Sequence, residues 1–393
     1  MRILFVSCQF GMLNHIDCGA ANRSTMFVRA LTLLGQVDVI SFYKEQIISN
    51  IPQCSVIYSN YIPIKMSLRD KILINLKLLV QPWKPQSHYP LSRQREIIVS
   101  EYYNNNKYDI VACRYIYDAI TCGLMRYKDK LVVDVDDNLT NVYKTNYSIA
   151  NFRFPWSRFF YIYRLYTVGM MSRWFLKRVW VSFYSNILEK PYENSVFLPN
   201  VSSYEKIVSN VTEQTPQRLL IVGALNYLPN EKGTIHFIEN IYPLIREKMP
   251  DVEVYIAGKT KDTNLLARLN AVEGVKALGF VDDIVAEYIK CRVVVVPIYH
   301  GSGTCVKFIE GIMMKRPIVS TPMGARGFDK VFNENEDYML AKNDEEFAAK
   351  VIELLLSIEK INKVANHAYE VAMTEFSQQK FCKIVRETIS MLV

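Results

Sequence analysis

The sequence predicts an α/β chain made of two doubly wound parallel-sheet domains. Three observations lead there. The chain has 393 residues, half of them apolar, and single domains run ~100–200 residues. Short apolar, β-branched runs alternate with helical periods in each half, as parallel sheets with right-handed crossovers require. Between the halves, residues 201–217 follow Pro199, are polar, carry Pro216 and hold no sustained apolar period, which reads as a linker. The expected organisation is therefore a domain over 1–200, a linker over 201–217, a second domain over 218–375 and a final amphipathic helix over 376–393.

Each element has a local reason. Residues 3–7 form a short apolar run, as a strand buried on both faces does. A polar loop with Gly19 follows. Residues 24–34 place Met26, Phe27, Ala30, Leu31 and Leu34 at helical spacing and stop at Gly35. Residues 37–42, 109–113 and 131–135 are the next strands. In the second half, strands are expected over 218–223, 252–257, 292–297 and 317–320. Helices are expected over 231–248, 282–290 and 303–314, the first ending at Met249-Pro250.

Composition excludes several classes. The eight cysteines form no Cys-x-x-Cys pair and the five histidines are dispersed, which reads as free thiols in a reducing compartment with no metal-ligand spacing. The opening residues are too short an apolar run for a signal peptide, and no run reaches the ~18 apolar residues of a membrane span. The expected location is cytoplasmic, with peripheral attachment to the inner face of the cell membrane left open. Residues 1–200 hold 24 Lys+Arg against 14 Asp+Glu, and residues 201–393 hold 23 against 25. The positive excess thus lies in the first half, which suits an anionic surface or acceptor. The basic residues are spread out and no nucleic-acid-binding module is present, so nucleic acid is not an expected partner.

The most informative stretch is residues 293–310, VVVVPIYHGSGTCVKFIE. A buried strand ends at Pro297, a Gly-Ser-Gly-Thr turn (Gly301, Ser302, Gly303, Thr304) follows, and a helix carries Lys307 and Glu310. Ligands of open α/β sheets bind beyond the carboxyl ends of strands. A glycine-rich turn lets backbone N–H groups approach an anion, and the helix start adds unpaired donors. Lys307 adds a full charge, and Glu310, on the same helix face, offers a carboxylate to two ribose hydroxyls. The same spacing also fits a plain loop and a surface Lys–Glu pair.

Residues 219–329 resemble the C-terminal domain of glycosyltransferase family 4, the retaining GT-B group (glycosyl transferases group 1). The pieces that carry the likeness are IVGALNYLPNEKG (221–233), VEVYIAGK (252–259), VKALGFVDD (275–283), the stretch 293–321 and GARGFD (324–329). The first half resembles the family's other domain more loosely, over 1–34 and 108–137. The likeness implies a GT-B fold: two Rossmann-like domains facing across a cleft, with the C-terminal helix packing toward the first domain. It further implies that Glu310 holds the donor ribose, that Lys307 with the amides of Gly303 and Thr304 holds the diphosphate, that Gly301 and Ser302 belong to the same donor-binding turn, and that Gly223 and Ala224 line the opposing loop. Lys307 and Glu310 are the expected catalytic residues, with no cofactor and no metal. Three departures stand out. Many members carry a second Glu where Ser302 stands, a basic residue near Ala224 and another near Cys305; Lys232 is the expected substitute for the one near Ala224.

The acceptor side is read from the first half: Gly19 in the first loop, Arg114 and Tyr115 after one strand, Asp136 and Asp137 after another. Asp134-Val-Asp136 also spells the metal site of the other large glycosyltransferase fold, a rival that leaves the second domain unexplained. Residues 151–180 hold six basic residues, eleven aromatics and no acid. They suit either packing against the sheet or an anionic membrane surface, and residues 67–95 show a milder version. The expected function is transfer of a sugar from a UDP- or GDP-sugar to a hydroxyl of a glycan or lipid-linked saccharide, in surface polysaccharide or glycoconjugate synthesis. The alternative is a non-catalytic scaffold or membrane-binding subunit of the same fold.

Overall fold

The computed structural model describes every residue except 9–18, 150–153, 188–191, 203, 205–208, 302 and 393. The chain forms two compact units, residues 1–199 with 381–393, and residues 200–380.

The first unit is built on a seven-stranded sheet: β1 (Arg2–Ser7), β2 (Gln36–Ser41), β3 (Cys54–Ser59), β4 (Ile110–Arg114), β5 (Leu131–Asp136), β6 (Val181–Tyr184) and β7 (Ser195–Phe197). Their order is β3-β2-β1-β4-β5-β6-β7, and every pairing is parallel. Parallel strands need helices on both faces, and the side chains alternate accordingly. Leu4, Val6, Val111, Cys113, Leu131 and Val133 share one core. Ile3, Phe5 and Val132 are buried on the opposite face, where the Phe27 ring lies 6.3 Å from Phe5.

The second unit repeats the plan with six strands: β8 (Arg218–Val222), β9 (Glu253–Ala257), β10 (Val275–Gly279), β11 (Val293–Val296), β12 (Ile318–Ser320) and β13 (Met339–Leu340). The order is β10-β9-β8-β11-β12-β13, again parallel throughout. Leu219, Val254, Val293, Val295 and Val319 pack one face; Leu220, Val294, Val296 and Ile318 pack the other. In both sheets the direction of winding reverses beside the first strand, at β1/β4 and β8/β11. Those crevices are where such sheets bind ligands.

Several boundaries differ from the sequence reading. The first helix spans Gly19–Thr32, so Gly19 opens the helix. The long helix expected over 231–248 is three pieces: Leu228–His236, a π-turn over Phe237–Ile241, and Tyr242–Lys248. Pro243 lacks the N–H that a regular helix would use there. The helix after β11 starts later than expected, at Val306–Met313, which gives the glycine-rich turn three more residues. Residues 200–217 group with the second unit, where Val211 is buried in the core and Ser209 O accepts from Arg316 Nη1 at 2.6 Å. The last helix spans Gln378–Ser390, and from Phe381 on it belongs to the first unit, where the Arg23 guanidinium lies over the Phe381 ring. Among the described residues no helix is long and apolar enough to cross a membrane.

Candidate active site

In the second unit the carboxyl ends of β8 and β11 carry the residues singled out from sequence. The chain leaves β8 at Gly223, whose φ is 149°. A β-carbon there would lie 2.7 Å from both Lys307 Nζ and Asn230 Nδ2. Gly233 lets the helix Leu228–His236 touch the end of β11: a β-carbon on it would stand 1.9 Å from Pro297 O. The backbones around the crevice are therefore packed as closely as glycine permits.

Lys307 sits in the first turn of Val306–Met313. Its Nζ donates to Asn230 Oδ1 at 2.7 Å, and Asn230 Nδ2 donates to Ala224 O at 3.0 Å. One amide thus ties the loop after β8 to the helix after β11. Burial holds the Lys307 ammonium below its ordinary pKa, against the opposite pull of Cys305 and Glu310. A partly desolvated cation with a neutral partner favours an incoming anion.

Glu310 lies one turn further. It forms no ion pair with Lys307; its Oε2 accepts from Tyr288 Oη at 3.3 Å. Burial pushes the Glu310 carboxyl up, while Tyr288 and Lys307 pull it back. The Tyr204 hydroxyl, raised mainly by its own burial, also feels the Glu310 charge. The helix bearing both residues is fixed from below by Phe308, whose ring stacks on Phe328 at 4.6 Å.

The turn itself is partly anchored. Thr304 Oγ1 accepts from Asn200 Nδ2 at 2.8 Å. A β-carbon on Gly301 would meet nothing within 4 Å, so packing does not require glycine there. Gly303 is half-buried, and Ser302 lies outside the described residues. Ala224 and Lys232 are exposed, and Asn230, two residues before Lys232, is the side chain that reaches Lys307. Sequence reading missed Asn230, Tyr288 and Tyr204. Asn230 stands inside the quoted stretch 221–233, but nothing in its spacing marked it.

Arg114 and Asp136, two of the residues expected on the acceptor side, join Arg23 and Asp134 in a buried charge network. Arg23 Nε donates to Asp134 Oδ2 at 2.8 Å and Nη2 to Asp134 Oδ1 at 2.7 Å. Arg114 Nη2 donates to Asp136 Oδ2 at 2.6 Å, and its Nε is 3.0 Å from Asp134 Oδ2. Arg114 Nη1 donates to Ser24 Oγ at 2.9 Å, so the network holds the first helix against the ends of β4 and β5. The two arginines keep Asp136 below its usual range despite burial. One rival reading and one expectation are affected here. The Asp-x-Asp carboxylates face arginines, which neutralise the charge a metal would need. Arg114 is 1% exposed and turned inward, so it braces the site and does not reach outward to an acceptor.

Two residues at this edge have unusual backbones. Tyr115 adopts φ 66°, ψ 142° and Asp136 φ 60°, conformations that cost side-chain-bearing residues of order 1–3 kcal/mol and persist where surroundings enforce them. The Arg114 guanidinium lies 4.5 Å over the Tyr115 ring. Tyr115, Asp136, Asp137 and Gly19 are half-buried, so they remain at the edge of this unit's crevice.

Residues 216–357 match the family described as glycosyl transferases group 1. An uncharacterized 44.6 kDa protein in the cps region of Klebsiella pneumoniae is 24% identical over 372 residues, covering 89% of this chain and 90% of that one. Sucrose-phosphate synthase from Thermosynechococcus elongatus has a similar structure, with a TM-score of 0.70 at 16% identity over 100% of this chain and 98% of that chain. Anabaena Alr3699/HepE in complex with UDP and glucose gives a TM-score of 0.62 at 14% identity over 99% of both chains. A glycosyl transferases group 1 domain thus lies over residues 216–357 of the second unit, and the two parallel sheets wound in the same order give the chain the GT-B fold.

Proposed function

We propose that this chain is a glycosyltransferase of family 4 and moves a hexose-type sugar from a UDP- or GDP-sugar, with retention at the anomeric carbon, to a hydroxyl of a glycan or lipid-linked saccharide. The observation that carries the reading is the placement of Lys307 beneath Gly223, held by Asn230, at the crevice of the second sheet. There the ammonium and the amides of the Gly301–Thr304 turn meet the diphosphate, and Glu310 accepts from the ribose hydroxyls. As the bond between sugar and diphosphate breaks, charge grows on the departing phosphate. Donors already in place stabilise that charge without reorganising. No metal is needed for this step. The HepE structure, which holds UDP and glucose, favours UDP. The cps-region relative favours surface polysaccharide synthesis.

The test is thermal stability of the pure protein with UDP, GDP, TDP and ADP, each with and without EDTA. A ligand at about 100 times its Kd stabilises a fold by about 2.7 kcal/mol. Stabilisation by one nucleotide, unchanged by EDTA, is expected. No response to any nucleotide would overturn the donor site, and a response lost with EDTA would overturn the metal-free step.

A further inference from the structure

Two helices of the first unit are apolar on the side that no described residue covers. In the helix Leu68–Val80 only Leu78 is buried. Leu68, Ile72, Leu76 and Leu79 recur at i, i+4, i+8 and i+11, and each is between 52% and 76% exposed. Helices of soluble domains turn such a stripe inward; this one carries it away from Leu78. The helix Pro155–Leu176 is arranged alike. Val168, Met171 and Phe175 are buried, while Trp156, Phe159, Ile162 and Tyr166 are exposed. Tyr163 Oη donates to Leu78 O at 2.9 Å, so the two helices touch.

The surroundings of these stripes are cationic. The helix Pro155–Leu176 carries Arg158, Arg164 and Arg173 and no acid. The other helix has Arg69, Lys71 and Lys77, and its single acid, Asp70, is held in a capping box by Ser67. Beside Leu73 and Lys77 opens a groove of about 860 Å³, with Lys65 and Arg93 also on its walls. These three cations form no ion pair with the described residues.

We infer that the first unit docks on an anionic bilayer through the outward stripes of these two helices, which brings the cationic groove to the level of the lipid head groups. An apolar stripe rimmed by Lys and Arg, with Trp and Tyr rings among it, matches the boundary between acyl chains and anionic head groups. A second copy of the chain fits poorly, because that contact would set cations against cations. The inference deepens the proposed function by assigning the surface through which the enzyme meets a lipid-linked acceptor, and it is tested apart from the donor site.

The experiment is flotation of the full chain with vesicles of phosphatidylcholine, with and without phosphatidylglycerol, for the wild type and for three variants: Leu76→Asp/Leu79→Asp, Phe159→Asp, and Lys71→Glu/Lys77→Glu. The wild type is expected to float with the anionic vesicles only. Each variant should bind about tenfold more weakly, and the lysine variant should lose least at high salt. Nucleotide-induced thermal stabilisation should be unchanged in all three, which shows an intact fold and separates this result from the donor reading. Three outcomes would overturn the inference: a wild type that does not float, variants that float as well as it does, or a wild-type dimer in sedimentation that the same substitutions dissolve.

Discussion

Lys307 Nζ occupies the space that a β-carbon at Gly223 would need, 2.7 Å away, and is kept there by Asn230 Oδ1 at the same distance. The end of β8 and the start of the helix after β11 are thus fitted to each other through one ammonium. Gly223→Ala would force the flexible end of Lys307 aside and place a side chain at φ 149°, a strained backbone. The expected result is a folded protein whose affinity for the nucleoside diphosphate falls at least about tenfold, or about 1.4 kcal/mol, measured by titration calorimetry. Unchanged affinity would show that the diphosphate lies elsewhere.

Glu310 makes the site sensitive to pH. Burial raises its carboxyl above the ordinary value, outweighing Tyr288 and Lys307. A raised pKa in the folded state means that the group's stabilising contribution is complete below the unfolded value of about 4.3 and is lost as pH rises through the folded value. Glu310→Gln removes that loss. Without ligand, the variant's Tm relative to wild type should therefore rise as pH goes from acid toward neutral. Binding runs the other way, because only the carboxylate accepts from both ribose hydroxyls. Wild-type affinity should weaken as pH falls through the folded pKa, while the variant is weak and flat. Parallel pH profiles for the two proteins would remove Glu310 from the donor site.

The network of Arg23, Arg114, Asp134 and Asp136 yields a prediction about stability. Removing one partner of a buried ion pair leaves a charge without compensation and costs about 3–5 kcal/mol. Asp134→Asn should destabilise the protein by about that much in urea unfolding, since Asp134 is within 3.0 Å of both arginines. Added Mn²⁺ should not raise the wild-type Tm. Stabilisation by Mn²⁺ that Asp134→Asn abolishes would revive the Asp-x-Asp metal site.

These residues also show where sequence reading succeeds and where it stops. The strands were legible because burial on both faces demands unbroken apolar, β-branched runs, as in Val293–Val296. The turn and the helix with Lys307 and Glu310 were legible because glycines interrupt the chain between an apolar strand and a helical period. The partners were not, because they come from afar: Arg23 meets Asp134 across 111 positions and Lys307 meets Asn230 across 77. A dipeptide such as Asp-x-Asp looks the same whether it faces a metal or two arginines. Composition in 67–95 likewise suited either packing or a membrane surface without showing that Leu68, Ile72, Leu76 and Leu79 point outward. The π-turn at Phe237–Ile241 was hidden because the residues on either side keep a helical period.

Tyr288 is the residue whose role is most separable from folding. It is fully buried, with its hydroxyl 3.3 Å from Glu310 Oε2. Burial and the neighbouring Glu310 charge both raise its own pKa well above the ordinary value, so it stays protonated and donates. That hydrogen bond favours the Glu310 carboxylate and lowers its pKa. Tyr288→Phe keeps the ring and removes the donor, at a stability cost of about 1 kcal/mol. The Glu310 pKa should then rise further, and the pH at which nucleotide affinity weakens should move upward, with affinity at high pH close to wild type. A structural role alone would lower affinity equally at every pH. An unmoved acid limb in Tyr288→Phe would therefore show that the hydroxyl only fills space beneath the helix, and a shift to higher pH would make Tyr288 the group that keeps Glu310 ionised for the ribose.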